Sequence, residues 1–73
     1  VDLVLKRQRR LIPIEIKSAA TFTKDFLKGI DRFIKITKDR CRAGYVLYNG
    51  DDTFQLNHIS IQNILNHGMI SFS

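Results

Sequence analysis

Cysteine is almost absent from this chain. Cys41 stands alone, which excludes an internal disulfide and a thiolate metal site built from this chain by itself. A lone cysteine fits a reducing, intracellular compartment, and the expected location is the cytoplasm. No stretch approaches the roughly 18 consecutive apolar residues of a membrane span, and the first residues lack the pattern of a signal peptide. Glycine-rich, repetitive and low-complexity segments are also missing. Proline occurs once, at Pro13, and glutamate once, at Glu15. Both fall in the same short apolar run, Ile12–Ser18.

The 73 residues suffice for one domain, of a size at which a single core stabilises by only a few kcal/mol. Hydrophobic residues at 44% and charged residues at 26% are ordinary globular composition. The chain opens at Val1, already inside a strand pattern, and reads as the C-terminal fragment of a longer protein. A partner surface, such as a homo-oligomer contact, is expected. The net charge is +5 and unevenly spread. Lys6, Arg7, Arg9 and Arg10 form one basic group, and Lys38, Arg40 and Arg42 a second. Such clusters suit a polyanion, through phosphate contacts and counterion release, or else keep a solvated turn soluble.

Residues 1–6 and 11–17 read as two strands joined by a polar turn. With Gln8 and Arg9 as the central turn residues, antiparallel partners have numbers summing to 17. Leu3 then faces Ile14 and Leu5 faces Ile12 on one apolar face, while Asp2, Val4, Pro13, Glu15 and Lys17 share the other. Gln-Arg is poor turn chemistry, since tight hairpins favour Gly, Asn or Asp. Pro13 predicts an unpaired position or a local irregularity beside the acidic pair. Thr23 is a candidate helix N-cap, and Phe26, Leu27, Ile30, Phe33 and Ile34 recur at the spacing of one helical face. Gly29 either weakens that helix or lets it lie close to the sheet. A third strand is expected at Ala43–Tyr48, a turn at Asn49–Asp52, a strand from Gln55 to Ile61, and a short helix over Gln62–His67. The expected order is β-β-α-β-β, a truncated α/β (α+β) core with a mixed sheet.

A buried carboxylate is costly unless a cation, a metal or hydrogen bonds compensate it. Asp2 and Glu15 could hold Mg²⁺ or Mn²⁺, which prefer oxygen ligands, with the Ile16 carbonyl as a further donor. Lys17, on the same strand face as Glu15, could orient or help deprotonate an attacking water. The bland alternative is an ion pair on a solvated strand face. His58 and His67 are isolated in sequence, Cys41 has no companion base, and Tyr45 and Tyr48 read as core aromatics in a strand.

Asp2 heading one strand and Glu15-Ile16-Lys17 in the next resemble the core of the PD-(D/E)xK nuclease superfamily. The series Val1–Leu5, Ile12–Ser18, Lys24–Gly29 and Gly44–Tyr48 is similar to the C-terminal restriction-endonuclease-like domain of prokaryotic AAA-type ATPases that carry the DUF4143 region. The resemblance covers nearly the whole chain. It implies a single nuclease-like domain over residues 1–73, a restriction-endonuclease-like sheet with flanking helices, and metal-dependent phosphodiester hydrolysis. Asp2 and Glu15 match the metal ligands and Lys17 the catalytic lysine. Implied partners are DNA, contacted by Lys6, Arg7, Arg9 and Arg10, and the remainder of an ATP-binding chain. Active members usually take a further acid from a helix before the first strand, which lies outside this chain. The alternative is an inactive DNA-binding or oligomerisation module of the same ATPase.

Overall fold

The structure is a computed structural model, and it describes residues 1–64 other than Arg42. Its strands are β1 (Leu3–Arg7), β2 (Arg10–Ile16), β3 (Gly44–Tyr48), β4 (Phe54–Leu56) and β5 (Ile59–Asn63). One helix, α1 (Lys28–Thr37), lies between β2 and β3. The strands form one mixed sheet in the order β1-β2-β3-β5-β4. β1 and β2 are antiparallel, as are β4 and β5, whereas β2, β3 and β5 run parallel. No described helix is long and apolar enough to cross a membrane.

The first hairpin has the register that the side-chain pattern requires: Leu3 faces Ile14, Leu5 faces Ile12, and Arg7 faces Arg10. Gln8 and Arg9 form the two-residue turn, and Gln8 takes φ 58°, the left-handed conformation that glycine or asparagine would adopt at less cost. Register is therefore set by the alternating side chains more than by turn chemistry. Pro13 sits just before the β2–β3 ladder, which runs from Ile14 to Ile16, so its missing N–H breaks no bond of that ladder.

Three expectations need correction. The segment from Gln55 to Ile61 is not one strand. Phe54 faces Ile61 and Leu56 faces Ile59 across a two-residue turn at Asn57 and His58, with Asn57 at φ 54°. Asparagine tolerates that conformation, so the turn closes there and the order becomes β-β-α-β-β-β. Gln62 and Asn63 belong to β5 and not to a terminal helix, and residues 65–67 of that expected helix lie outside the described residues. At the other end, the helical segment opens with a 3₁₀ turn over Lys24–Leu27 before α1 begins. Thr23 occupies the cap position with extended backbone, but its hydroxyl caps nothing. The turn closes instead through the Phe26 N–H on the Thr23 carbonyl at 3.1 Å.

The helix packs on the sheet face that carries Pro13 and Glu15. Phe26, Ile30, Val46, Tyr48, Ile59 and Ile61 are buried together there, with Phe22, Leu27, Ile34, Phe54 and Leu56 around them. Phe22 meets Phe26 and Phe54 edge-on, with ring centroids 5.5 and 5.0 Å apart. The Tyr48 hydroxyl keeps its bonds within this core, donating to the Asp52 carbonyl at 3.0 Å and accepting the Asp52 N–H at 3.2 Å. Ile12, Ile14 and Leu47, on the opposite sheet face, are buried as well. The inner strands thus bury apolar side chains on both sides, as parallel strands commonly do.

Close approach between helix and sheet depends on Gly44. A Cβ there would lie 2.8 Å from Ile30 Cγ2 and 3.3 Å from Pro13 Cγ, closer than carbon atoms pack. Gly44→Ala is expected to lower stability by about 1–3 kcal/mol, the usual cost of overpacking. A denaturant titration reads it as a lower midpoint at unchanged slope.

Candidate functional site

The acidic corner forms where β1 ends and β2 continues. β1 runs out at Leu3, so the Ile16 N–H, which points to that side of β2, has no strand partner there. The Asp2 side chain supplies one: its Oδ2 accepts the Ile16 N–H at 2.8 Å. The Asp2 N–H in turn donates to the Ile14 carbonyl at 3.0 Å, although the ladder sets Leu3 opposite Ile14. The pairing is irregular here, next to Pro13, and Asp2 clasps the end of β2 through both its backbone and its side chain. In a strand the C=O of a residue points with its N–H, so the Ile16 carbonyl is directed to the same side.

Glu15 is buried, with 6% of its surface exposed. Its Oε1 lies 3.3 Å from the Val1 main-chain nitrogen, and a Cβ on Gly29 would come within 3.0 Å of the same oxygen. Thus the first turn of α1 rests directly on the carboxylate, and glycine is what leaves room for it. Glu15 also lies close enough to Asp2 to help hold the Asp2 carboxyl below its ordinary value.

Lys17 follows β2 directly and is held by its N–H on the Leu47 carbonyl at 2.8 Å. Its Nζ lies 5.8 Å from the centre of the Phe26 ring, within cation–π range, so the ammonium is on the helix-bearing face with Glu15. The Ile16 N–H holds the Asp2 carboxyl below the ordinary aspartate value of 3.8, with the Glu15 hydrogen bond second. Partial burial opposes the shift, and the positive charge of Lys17 adds to it.

The structure therefore brings Asp2, Glu15, Ile16 and Lys17 together. It does not bring the basic turn to them. Lys6, Arg7, Arg9 and Arg10 are exposed at the far end of the hairpin, and the five residues from Arg10 to Glu15 span about 16 Å of strand. Among the described residues no group of three or more His, Cys, Asp and Glu side chains is placed to hold a metal. His58 lies exposed in the β4–β5 turn, and His67 is outside the described residues. Cys41 is buried, its Sγ on the Ala43 carbonyl at 3.6 Å, and burial pushes the thiol above its ordinary value. Sequence reasoning missed the Val1 main-chain nitrogen at Glu15, for which no side-chain signal exists. It also left the role of Gly29 open; a glycine in the first turn of an amphipathic helix was the available clue.

Two outcomes follow from this geometry. The folded pKa of Asp2 is depressed, so its stabilising bond is fully present above the unfolded value near 3.8 and is lost as pH falls through the lower folded value. Asp2→Asn is expected to cost about 1 kcal/mol at neutral pH, discounted for the exposure of the side chain. Urea titrations should show that difference shrinking once the pH drops below about 4. Gly29→Ala favours a helix interior by about 1 kcal/mol, yet it drives a methyl group onto the Glu15 carboxylate. No net gain in melting temperature is expected, and a gain equal to the full helix preference would show that the carboxylate yields freely.

The model of one protein family, described as Domain of unknown function (DUF4143), matches residues 1–66. No curated protein matches the chain, and no solved structure does. The match takes in every described element, from the strap of Asp2 through β5. The chain belongs to the DUF4143 family.

Proposed function

We propose that the Asp2–Glu15–Lys17 corner is the metal site of a PD-(D/E)xK nuclease-like domain, acting on phosphodiester bonds of DNA as part of an AAA-type ATPase. The observation that carries this reading is the Asp2 carboxylate held on the Ile16 N–H at 2.8 Å, at the end of β2 beside Glu15, with an ammonium on the same face. The donor set is oxygen only: two carboxylates and the Ile16 carbonyl, the chemistry that suits Mg²⁺ or Mn²⁺. A cation bound there would polarise a phosphate oxygen and lower the pKa of a bound water.

The chain's own residues do the rest. The Ile16 N–H fixes one oxygen of Asp2, which leaves the other to reach outward. Gly29 and the Val1 nitrogen fix the Glu15 carboxylate from the opposite side. Lys17 is anchored by its backbone while its flexible stem carries the ammonium, so it can turn from the Phe26 ring toward a bound phosphate and offset charge that builds in the transition state. The basic turn, about 16 Å along the strand, would meet phosphates flanking the reacting one.

A second reading has its own observation. Glu15 is closed over by α1, and no third acid joins the pair among the described residues. This favours a non-catalytic module that keeps the carboxylate clasp as structure and uses its basic surfaces for DNA. Plasmid cleavage in Mg²⁺ separates the two. Under the nuclease reading, wild-type protein nicks DNA, and Glu15→Gln and Lys17→Ala each lower the rate by about 10²-fold or more. Mn²⁺ should also broaden the NMR signals of Asp2 and Glu15 in the wild type and not in Glu15→Gln. Equal cleavage by all three proteins, with no broadening, would remove the nuclease reading.

A further inference from the structure

Half of the lysines and arginines gather at one end of the sheet. β2, β3 and β5 run parallel, so the connections that enter them all lie at that end. The β1–β2 turn brings Lys6, Arg7, Arg9 and Arg10, and the 3₁₀ turn between α1 and β3 brings Lys38 and Arg40. These are six of the twelve lysines and arginines in the chain, and all six are exposed. The two groups are distant in sequence and meet only through the parallel pairing. The β4–β5 turn joins them, its His58 carbonyl accepting the Gly44 N–H at 3.0 Å where β3 begins. Of the seven acids, only Asp39 belongs to these connections. Asp2 and Glu15 lie at the other end of the sheet, as do Asp51 and Asp52, which follow β3. Val1 and Asn63 are at that other end too, so the chain enters and leaves the described structure away from the basic end.

Two local conflicts mark the basic end. Arg7 directly faces Arg10 across the hairpin, a like-charge pair that weakens a sheet. Gln8 and Lys38 take φ 58° and 48°, where glycine would sit at less cost. The ion pairs among the described residues, at Glu15 and at Asp25, involve none of these six cations. Their mutual repulsion is what an external polyanion would relieve.

We infer that this end of the sheet is the docking surface for the phosphate backbone of duplex DNA, with Lys38 and Arg40 as contacts beside the hairpin arginines. The inference rests on the DNA reading above and extends it to a second segment of the chain. From β1 to β5 the end spans three strand spacings, about 14 Å. That length of duplex presents about eight phosphates. Guanidinium forks pair with phosphate through two oxygens, which suits Arg7, Arg9, Arg10 and Arg40. The tip from Lys6 to Arg10 holds no apolar side chain to enter a bilayer, so a membrane surface fits less well. Contacts made to phosphates alone are indifferent to base sequence.

Fluorescence anisotropy with two labelled duplexes of unrelated sequence, each about 20 base pairs, tests this in EDTA between about 50 and 200 mM salt. Both duplexes should bind with similar affinity, and binding should fall steeply with salt. Arg10→Gln and Arg40→Gln should each weaken it about threefold or more, alike on both duplexes, and lower the salt slope by about one. Lys38→Gly separates contact from structure. It should raise the melting temperature, because glycine accepts φ 48°, and still weaken DNA binding. A protein that binds neither duplex overturns the inference, as does one that prefers phosphatidylserine vesicles. Loss through Arg10→Gln alone, with Arg40→Gln and Lys38→Gly at wild-type affinity, overturns it too and leaves the contact with the hairpin. EDTA excludes metal, so the result stands whether or not the acidic corner cleaves.

Discussion

The close contact between α1 and the sheet organises everything else in this small protein. Gly44 lets Ile30 descend onto β3 and Pro13, and Gly29 lets the first turn of the helix rest on Glu15. One packing event thereby buries the apolar cluster and closes over a carboxylate. A side chain at either glycine would lift the helix, and a core of this size has little to spare. The restriction is steric, and it acts on the fold and on the acidic corner together.

That corner shows how a buried acid is accommodated. Glu15 would be costly in an apolar strand without compensation. Compensation comes from the Val1 nitrogen, 3.3 Å from its Oε1. Asp2 also completes the hydrogen bonding of β2 where its strand partner has ended. The same residues thus finish the sheet and concentrate oxygen donors at its end, so a structural role and a chemical one do not exclude each other here. Lys17 belongs to both descriptions, since its backbone continues the β2–β3 pairing while its ammonium lies over an aromatic ring.

Much of the fold was legible in the residue order. The β1–β2 register follows from apolar positions 3 and 5 facing 12 and 14 across a two-residue turn, despite an unfavourable Gln8. The second hairpin carried the same signal less visibly. Phe54 and Leu56 fall on even numbers, Ile59 and Ile61 on odd ones, and that change of parity is what a two-residue turn produces. Asn57 was the residue able to turn there, but its neighbours His58 and Gln55 gave no further punctuation. The Thr23 cap was placed correctly by position and wrongly by mechanism, because backbone hydrogen bonding closed the turn before the hydroxyl was needed.

By itself the sequence determined local matters: which segments alternate as strands, which stretch forms an amphipathic helix, and that Asp2, Glu15 and Lys17 share a strand face. Those depend on side chains a few residues apart and on the fixed periods of helix and strand. Only the tertiary structure decided which face of the sheet receives the helix. Both faces of β2 are apolar enough to accept one, and the choice fell to the face where two glycines and a proline allow contact. That choice placed Glu15 beneath α1 and left the basic turn at the opposite end of the hairpin, because packing acts between residues that the chain order does not bring together.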